Sequence, residues 1–168
     1  HWDPNVLAQV LPTLDHMQFA RFFGPAEQVV FLADTVWGGQ VTASNRPEGV
    51  EPPSGPLCFE RMSIDEIEAT RRVVQCDAIV EYLKNTLPAL KEPHDDKSLR
   101  KGVYDAISGA ETFGVNDPAA FNRWSYLYFV SGGAINSDKN IAKFMNSPDF
   151  KASHNEKVRQ IMDAMIYA

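Results

Sequence analysis

The stretch from residue 45 to 57 constrains this chain most. It holds Pro47, Pro52, Pro53 and Pro56, with Gly49 and Gly55 between them. Proline lacks the backbone N–H that a helix or a central strand needs, and glycine is costly to hold in either. No regular element can run through this stretch. The chain must therefore build one structured part before it and another after it. The boundaries predicted are a small α/β part over 1–44, a Pro-rich linker over 45–60 and a helical lobe over 61–168. At 168 residues this is one domain or two small lobes.

The first part reads as two short helices and a hairpin. Asp3 can accept backbone N–H bonds and Pro4 suits a first helical position. Val6, Leu7, Val10 and Leu11 then follow a helical stripe until Pro12. Asp15 is the second expected N-cap, Phe19, Phe22 and Phe23 form an apolar face, and Gly24-Pro25 stops the helix. Residues 28–33 are short, apolar and partly β-branched, which predicts a strand. Gly38-Gly39 predicts a turn, and Gln40 to Ala43 a weaker returning strand.

Everything after the linker has helical periodicity. Ser63 to Glu66 has the pattern of a capping box. It should open a helix with a stripe of Ile67, Val74, Ala78 and Tyr82, ending near Leu87-Pro88. Lys91 to Asp96 is expected as a polar loop. Leu99, Val103, Ile107 and Ala110 predict a helix from about Ser98 to Phe113, closed by Gly114. Asp117-Pro118 opens the next, with Phe121, Trp124, Leu127, Tyr128 and Val130 on most of its sides until Gly132-Gly133. A short helix with Ile141, Phe144 and Met145 follows. A second capping box at Ser153 to Glu156 leads into Val158, Ile161, Met162 and Met165. The fold class expected is mainly α, with a helical C-terminal lobe after a small α/β part.

Charge and chemistry exclude several functions. Asp plus Glu is 22 against 16 for Lys plus Arg, a formal net charge of −6, and no basic face emerges for nucleic acid to bind. Residues 1–60 hold seven acids and two bases, Arg21 and Arg46; residues 61–168 hold fifteen acids and fourteen bases. No apolar run approaches the roughly 20 residues that span a bilayer. Cys58 and Cys76 make neither a disulfide framework nor a zinc motif and read as reduced thiols, which suits a cytoplasmic protein. The chain opens with His1 rather than Met, which predicts a processed protein or a piece of a longer one.

Catalytic sets are missing from the sequence pattern. His1, His16, His94 and His154 show no i, i+4 metal pair. No phosphate-binding glycine loop or Gly-x-Ser-x-Gly elbow occurs. Ser131-Gly132-Gly133 sits at a helix exit and reads as a chain reversal. Asp65, Glu66 and Glu68 are expected in a helix N-terminal turn, where the macrodipole favours anions, and Asp95-Asp96 is expected to cap a helix. The reading is a non-enzyme with no cofactor and no metal. A small intracellular enzyme or an immunity-type inhibitor with an unrecognised site is the alternative.

The aromatics carry the remaining signal. Trp124, Tyr126, Tyr128 and Phe129 fall within six positions. An all-round apolar helix is ordinarily central to a core. The sharper reading is that one edge reaches a protein partner, since aromatics are enriched at interface hot spots. The partner-binding candidates are Trp124, Tyr126 and Phe129.

Two stretches resemble a known family. His-Trp-Asp-Pro-Asn-Val-Leu at 1–7, Leu-Pro-Thr-Leu at 11–14 and Phe-Phe-Gly-Pro at 22–25 are similar to the end of the conserved domain of type VI secretion effector chaperones, also called adaptors. From Ser63 to Met165, the Phe113-Gly114-Val115 step with Asp117 and the helix ending Phe129-Val130-Ser131-Gly132 resemble the helical C-terminal region of such proteins. The resemblance makes residues 1–44 the C-terminal part of a truncated α/β lobe. It implies a non-enzymatic, cytoplasmic protein that binds a secreted effector and helps load it onto the spike protein (VgrG) or its PAAR tip. Neither nucleic acid nor membrane is an expected partner.

Overall fold

The computed structural model describes residues 2–51, 54–87, 90, 96–148 and 151–166. His1, Pro52, Pro53, Pro88, Lys91 to Asp95 and with them His94 lie outside the described residues, so the expectations placed on them stop there. The chain is mainly helical, with seven α-helices among the described residues and one two-stranded antiparallel sheet. It divides into two compact units, His1–Val74 and Gln75–Ala168.

In the first unit, Asp3 accepts from the N–H groups of Asn5 (2.7 Å) and Val6 (3.3 Å) and opens α1, Pro4–Val10. Pro12 lies within a 3-10 turn over Leu11–Thr13. Asp15 accepts from the N–H of Gln18 at 2.8 Å and opens α2, His16–Phe23. That helix stops at Gly24, whose φ of +53° suits a residue without Cβ. β1, Gln28–Leu32, pairs with β2, Val41–Asn45, with Val30 opposite Ala43. β2 thus begins and ends later than the expected 40–43, because a 3-10 turn over Thr35–Trp37 lengthens the connection. Leu7, Leu11, Phe31 and Ala33 form the small core. Asn5 and Asp34 tie α1 to the exit of β1: each donates to the other at 2.8 Å, the first from its amide and the second from its backbone N–H.

The Pro-rich stretch has neither helix nor strand among its described residues, and it is held at several points. The Arg21 guanidinium donates to the carbonyls of Ser54 (3.2 Å) and Pro56, and Cys58 N–H donates to Gln18 Oε1 at 3.0 Å.

α3 runs Arg61–Thr86 and corrects three expectations. Ser63 does not cap it, since the helix starts two residues earlier. Its hydroxyl donates instead to the Thr13 carbonyl at 2.9 Å. Asp65, Glu66 and Glu68 therefore lie beyond the first turn, where the macrodipole has faded. The expected stripe is replaced as well: Cys76, Ile79, Val80 and Leu83 are buried, while Ala78 is exposed. One stripe cannot describe this helix because its buried residues all lie in its second half. Residues up to Val74 belong with the first unit, where Arg71 donates to the Gln9 side chain, and the rest belong with the second. The division falls inside α3, later than the linker boundary drawn from the sequence.

The second unit has one core. α4, Asp96–Thr112, buries Leu99, Val103, Ala106, Ile107 and Ala110, the predicted spacing. Lys84 pairs with Asp96 at 2.7 Å and Asp77 with Arg100 at 2.9 Å, joining α3 to α4. The Lys84 hydrogen bond and charge hold the Asp96 carboxyl below its ordinary value, and the Arg100 charge adds to this. α5, Pro118–Val130, is capped by Asp117, which accepts from the N–H of Ala120 at 2.9 Å. It packs against α4 and α7 and is central, with Phe121, Trp124, Ser125 and Leu127 buried.

Candidate protein-binding surface

α6, Lys139–Asn146, and α7, His154–Ile166, are built by short-range rules. Asp138 accepts from the N–H groups of Asn140 (2.7 Å) and Ile141 (3.1 Å). Ser153 Oγ accepts from the N–H of Glu156 at 3.2 Å, so half of the predicted capping box forms. The other half is lost because Arg159 takes the Glu156 carboxylate, holding it below its ordinary value.

One buried cation ties the two helices together. Lys157, 3% exposed, donates from Nζ to the carbonyls of Met145 (2.8 Å) and Ser147 (2.9 Å). These carbonyls lie at the C-terminal end of α6, where intrahelical partners run out. Met145 is thereby seated in the core at 0% exposure.

Ile141 and Phe144 share the apolar face of α6 with Met145 but are only partly buried against the core. With Gln160, Ile161, Ala164 and Met165 they line a groove of about 460 Å³. Its single polar side chain is Gln160, and Met165 is half exposed. Such an apolar lining with few polar groups is typical of recognition sites. The sequence pattern marked Ile141, Phe144, Ile161 and Met165 only as apolar positions of two helices and did not single out Gln160 or Ala164. Ile141, Phe144 and Met145 recur at i, i+3 and i+4, one helix face, so no pattern in the sequence separates the enclosed residue from the two at the groove.

Trp124 does not share a surface with the other two aromatic candidates, Tyr126 and Phe129. Trp124 is wholly buried, its ring 5.4 Å from that of Phe113 and its Nε1 donating to Asn136. No partner can touch it, which corrects its place among the binding candidates: α5 is central, and its largest side chain fills the core. Tyr126 and Phe129 are partly buried and packed against the same core. A helix turns about 100° per residue, so Tyr126 and Phe129, three residues apart, lie on one side of α5 and Trp124 on the other. Phe129 lies over Gly102, where any Cβ would come 2.7 Å from the ring.

The remaining sequence candidates are scattered. His16 and His154 are the first residues of α2 and α7. Cys58 is exposed and Cys76 buried. Gly132 and Gly133, at φ +59° and +88°, reverse the chain after α5. Among the described residues, no three His, Cys, Asp or Glu side chains gather as a metal site, and no helix is long and apolar enough to cross a membrane. Comparison with protein-family models, with curated proteins and with solved structures finds no match.

Proposed function

We propose that this chain is a protein-binding module: an effector chaperone or adaptor of type VI secretion, acting in the cytoplasm of the producing cell and without catalysis of its own. The observation that carries the reading is the apolar α6–α7 groove, with the half-exposed Met165 at its lining. Methionine is flexible and polarisable and suits a surface that must fit a client segment. A chaperone of this kind shields apolar client surface that would otherwise aggregate. The motif resemblance supplies the identity of the client, a secreted effector, and its destination, the spike protein (VgrG) or its PAAR tip. The second unit holds twelve acids and eleven bases, so charge offers little handle and the contact is chiefly apolar.

The test is binding to the toxin encoded beside a spike gene in the producing strain. The adaptor reading requires a stable complex that survives high salt. Met165→Glu and Ala164→Glu place a charge in the groove and should weaken that complex at least tenfold while circular dichroism stays unchanged. Absence of any complex sinks the adaptor reading. A complex indifferent to both substitutions moves the binding surface away from the groove.

A further inference from the structure

The sheet of the first unit is unfinished. It has two strands, and among the described residues no third strand pairs with either. Arg46 N–H donates to the Glu27 carbonyl at 2.8 Å, which makes 27 and 46 a hydrogen-bonded pair. By the alternation of an antiparallel ladder, Val41, Ala43 and Asn45 then point their N–H and C=O groups away from β1. All three are exposed. α1 packs on the inner face of β1, through Leu7 and Leu11 against Phe31, and the edge flanked by the two hollows described next is that of β2.

Two features lie along that edge. On the inner face, Thr42 and Ser44 join Leu11, Phe19, Phe31 and Trp37 around an apolar groove of about 400 Å³. At the end of β2, Asn45 and Arg46 join Glu27, Glu48 and Glu51 around a hollow of about 810 Å³. The charge agrees with this placement: residues 1–74 hold ten acids and five bases, hence five of the six net negative charges.

We propose that the free edge of β2 takes up an extended peptide strand from another protein, with apolar side chains at alternate positions and Lys or Arg beside Asn45. The backbone edge supplies main-chain hydrogen bonds, and the groove takes every second side chain, the mode of strand addition. The glutamates select the basic end. A second copy of this chain does not fit, since two units of net charge −5 would meet edge to edge. Antiparallel pairing, the more stable per residue, sets the basic residues at the N-terminal end of the incoming strand. This site does not depend on the α6–α7 groove.

The experiment is a titration of the full chain, followed by amide NMR, with the acetylated peptide Lys-Lys-Val-Thr-Val-Thr-Val. Binding should protect the amides of Val41, Ala43 and Asn45 from exchange. N-methylating the peptide amides that face β2, or replacing both Lys by Glu, should each weaken binding at least tenfold. Ala43→Pro removes an N–H outside the ladder and should abolish binding with the fold retained. If that variant unfolds, Thr42→Trp, which fills the groove, must weaken binding instead. The proposal is overturned by no shift at millimolar peptide, by equal binding of the N-methylated peptide, by shifts centred on α6–α7, or by sedimentation showing a dimer paired through β2.

Discussion

The Trp124 indole donates to Asn136 Oδ1 at 2.9 Å, and the Asn136 amide donates onward to the Asp105 carbonyl at 2.9 Å. A buried indole N–H needs an acceptor. Here one asparagine in the turn after α5 provides it and ties α5 to α4. The relay also dictates its neighbour: a Cβ on Gly109 would sit 2.2 Å from Asn136 Oδ1. Gly109 is therefore required by a side chain across from it and not by its own backbone angles.

Gly109→Ala should destabilise the second unit by about 1–3 kcal/mol through overpacking, although alanine alone would favour the helix by about 1 kcal/mol. Urea denaturation measures this. In an Asn136→Ala background the penalty should shrink, giving a non-additive double-mutant cycle. Strict additivity would refute the clash.

Lys157→Met keeps the apolar stem and removes both bonds to the α6 carbonyls. The expected loss is about 1–3 kcal/mol, the cost of leaving buried polar groups unsatisfied, with faster amide exchange at the end of α6. A variant as stable as the parent would show that the bonds to Met145 and Ser147 contribute nothing.

Acid sensitivity should come in part from Asp96 and Glu156, whose folded carboxyls are held below their ordinary values by Lys84 and Arg159. A lowered folded value means the unfolded chain binds protons first. Each contribution is present above the unfolded carboxylate range and is lost as pH falls through the lowered folded value. Both groups are exposed, so salt should screen the effect. Asp96→Asn should flatten the acid limb of a stability–pH curve at low salt and leave the curve little changed at high salt.

Trp124→Ala should cost about 3–5 kcal/mol of stability, as large aromatic deletions in a core do. Its effect on binding should follow unfolding alone. Chemical denaturation beside an assay of the proposed effector complex separates the two; a well-folded Trp124→Ala chain that loses such a complex would place the residue at the binding surface.

Local physics made much of the fold legible. The caps at Asp3, Asp15 and Asp117 form where an aspartate precedes a helical run, because such a side chain meets orphan N–H groups within three residues of itself. The buried face of α4 was equally plain, since one neighbour layer imposes one period. Where a side chain had a choice of partners, sequence was insufficient. Ser63 could cap α3 or bond Thr13, and it takes the distant carbonyl. Ile141, Phe144 and Met145 are alike in hydrophobicity, yet Met145 is enclosed and the other two line a groove, because the Lys157 bonds set how α6 rests on α7. Trp124 was legible as an aromatic on a central helix but not as enclosed. Sequence determined which segments are helices and, at Asp3, Asp15 and Asp117, where they start, because those outcomes depend on residues a turn apart. Tertiary structure alone decided which apolar residues are core and which are surface, because that depends on which helices meet and on the few long-range polar bonds that orient them.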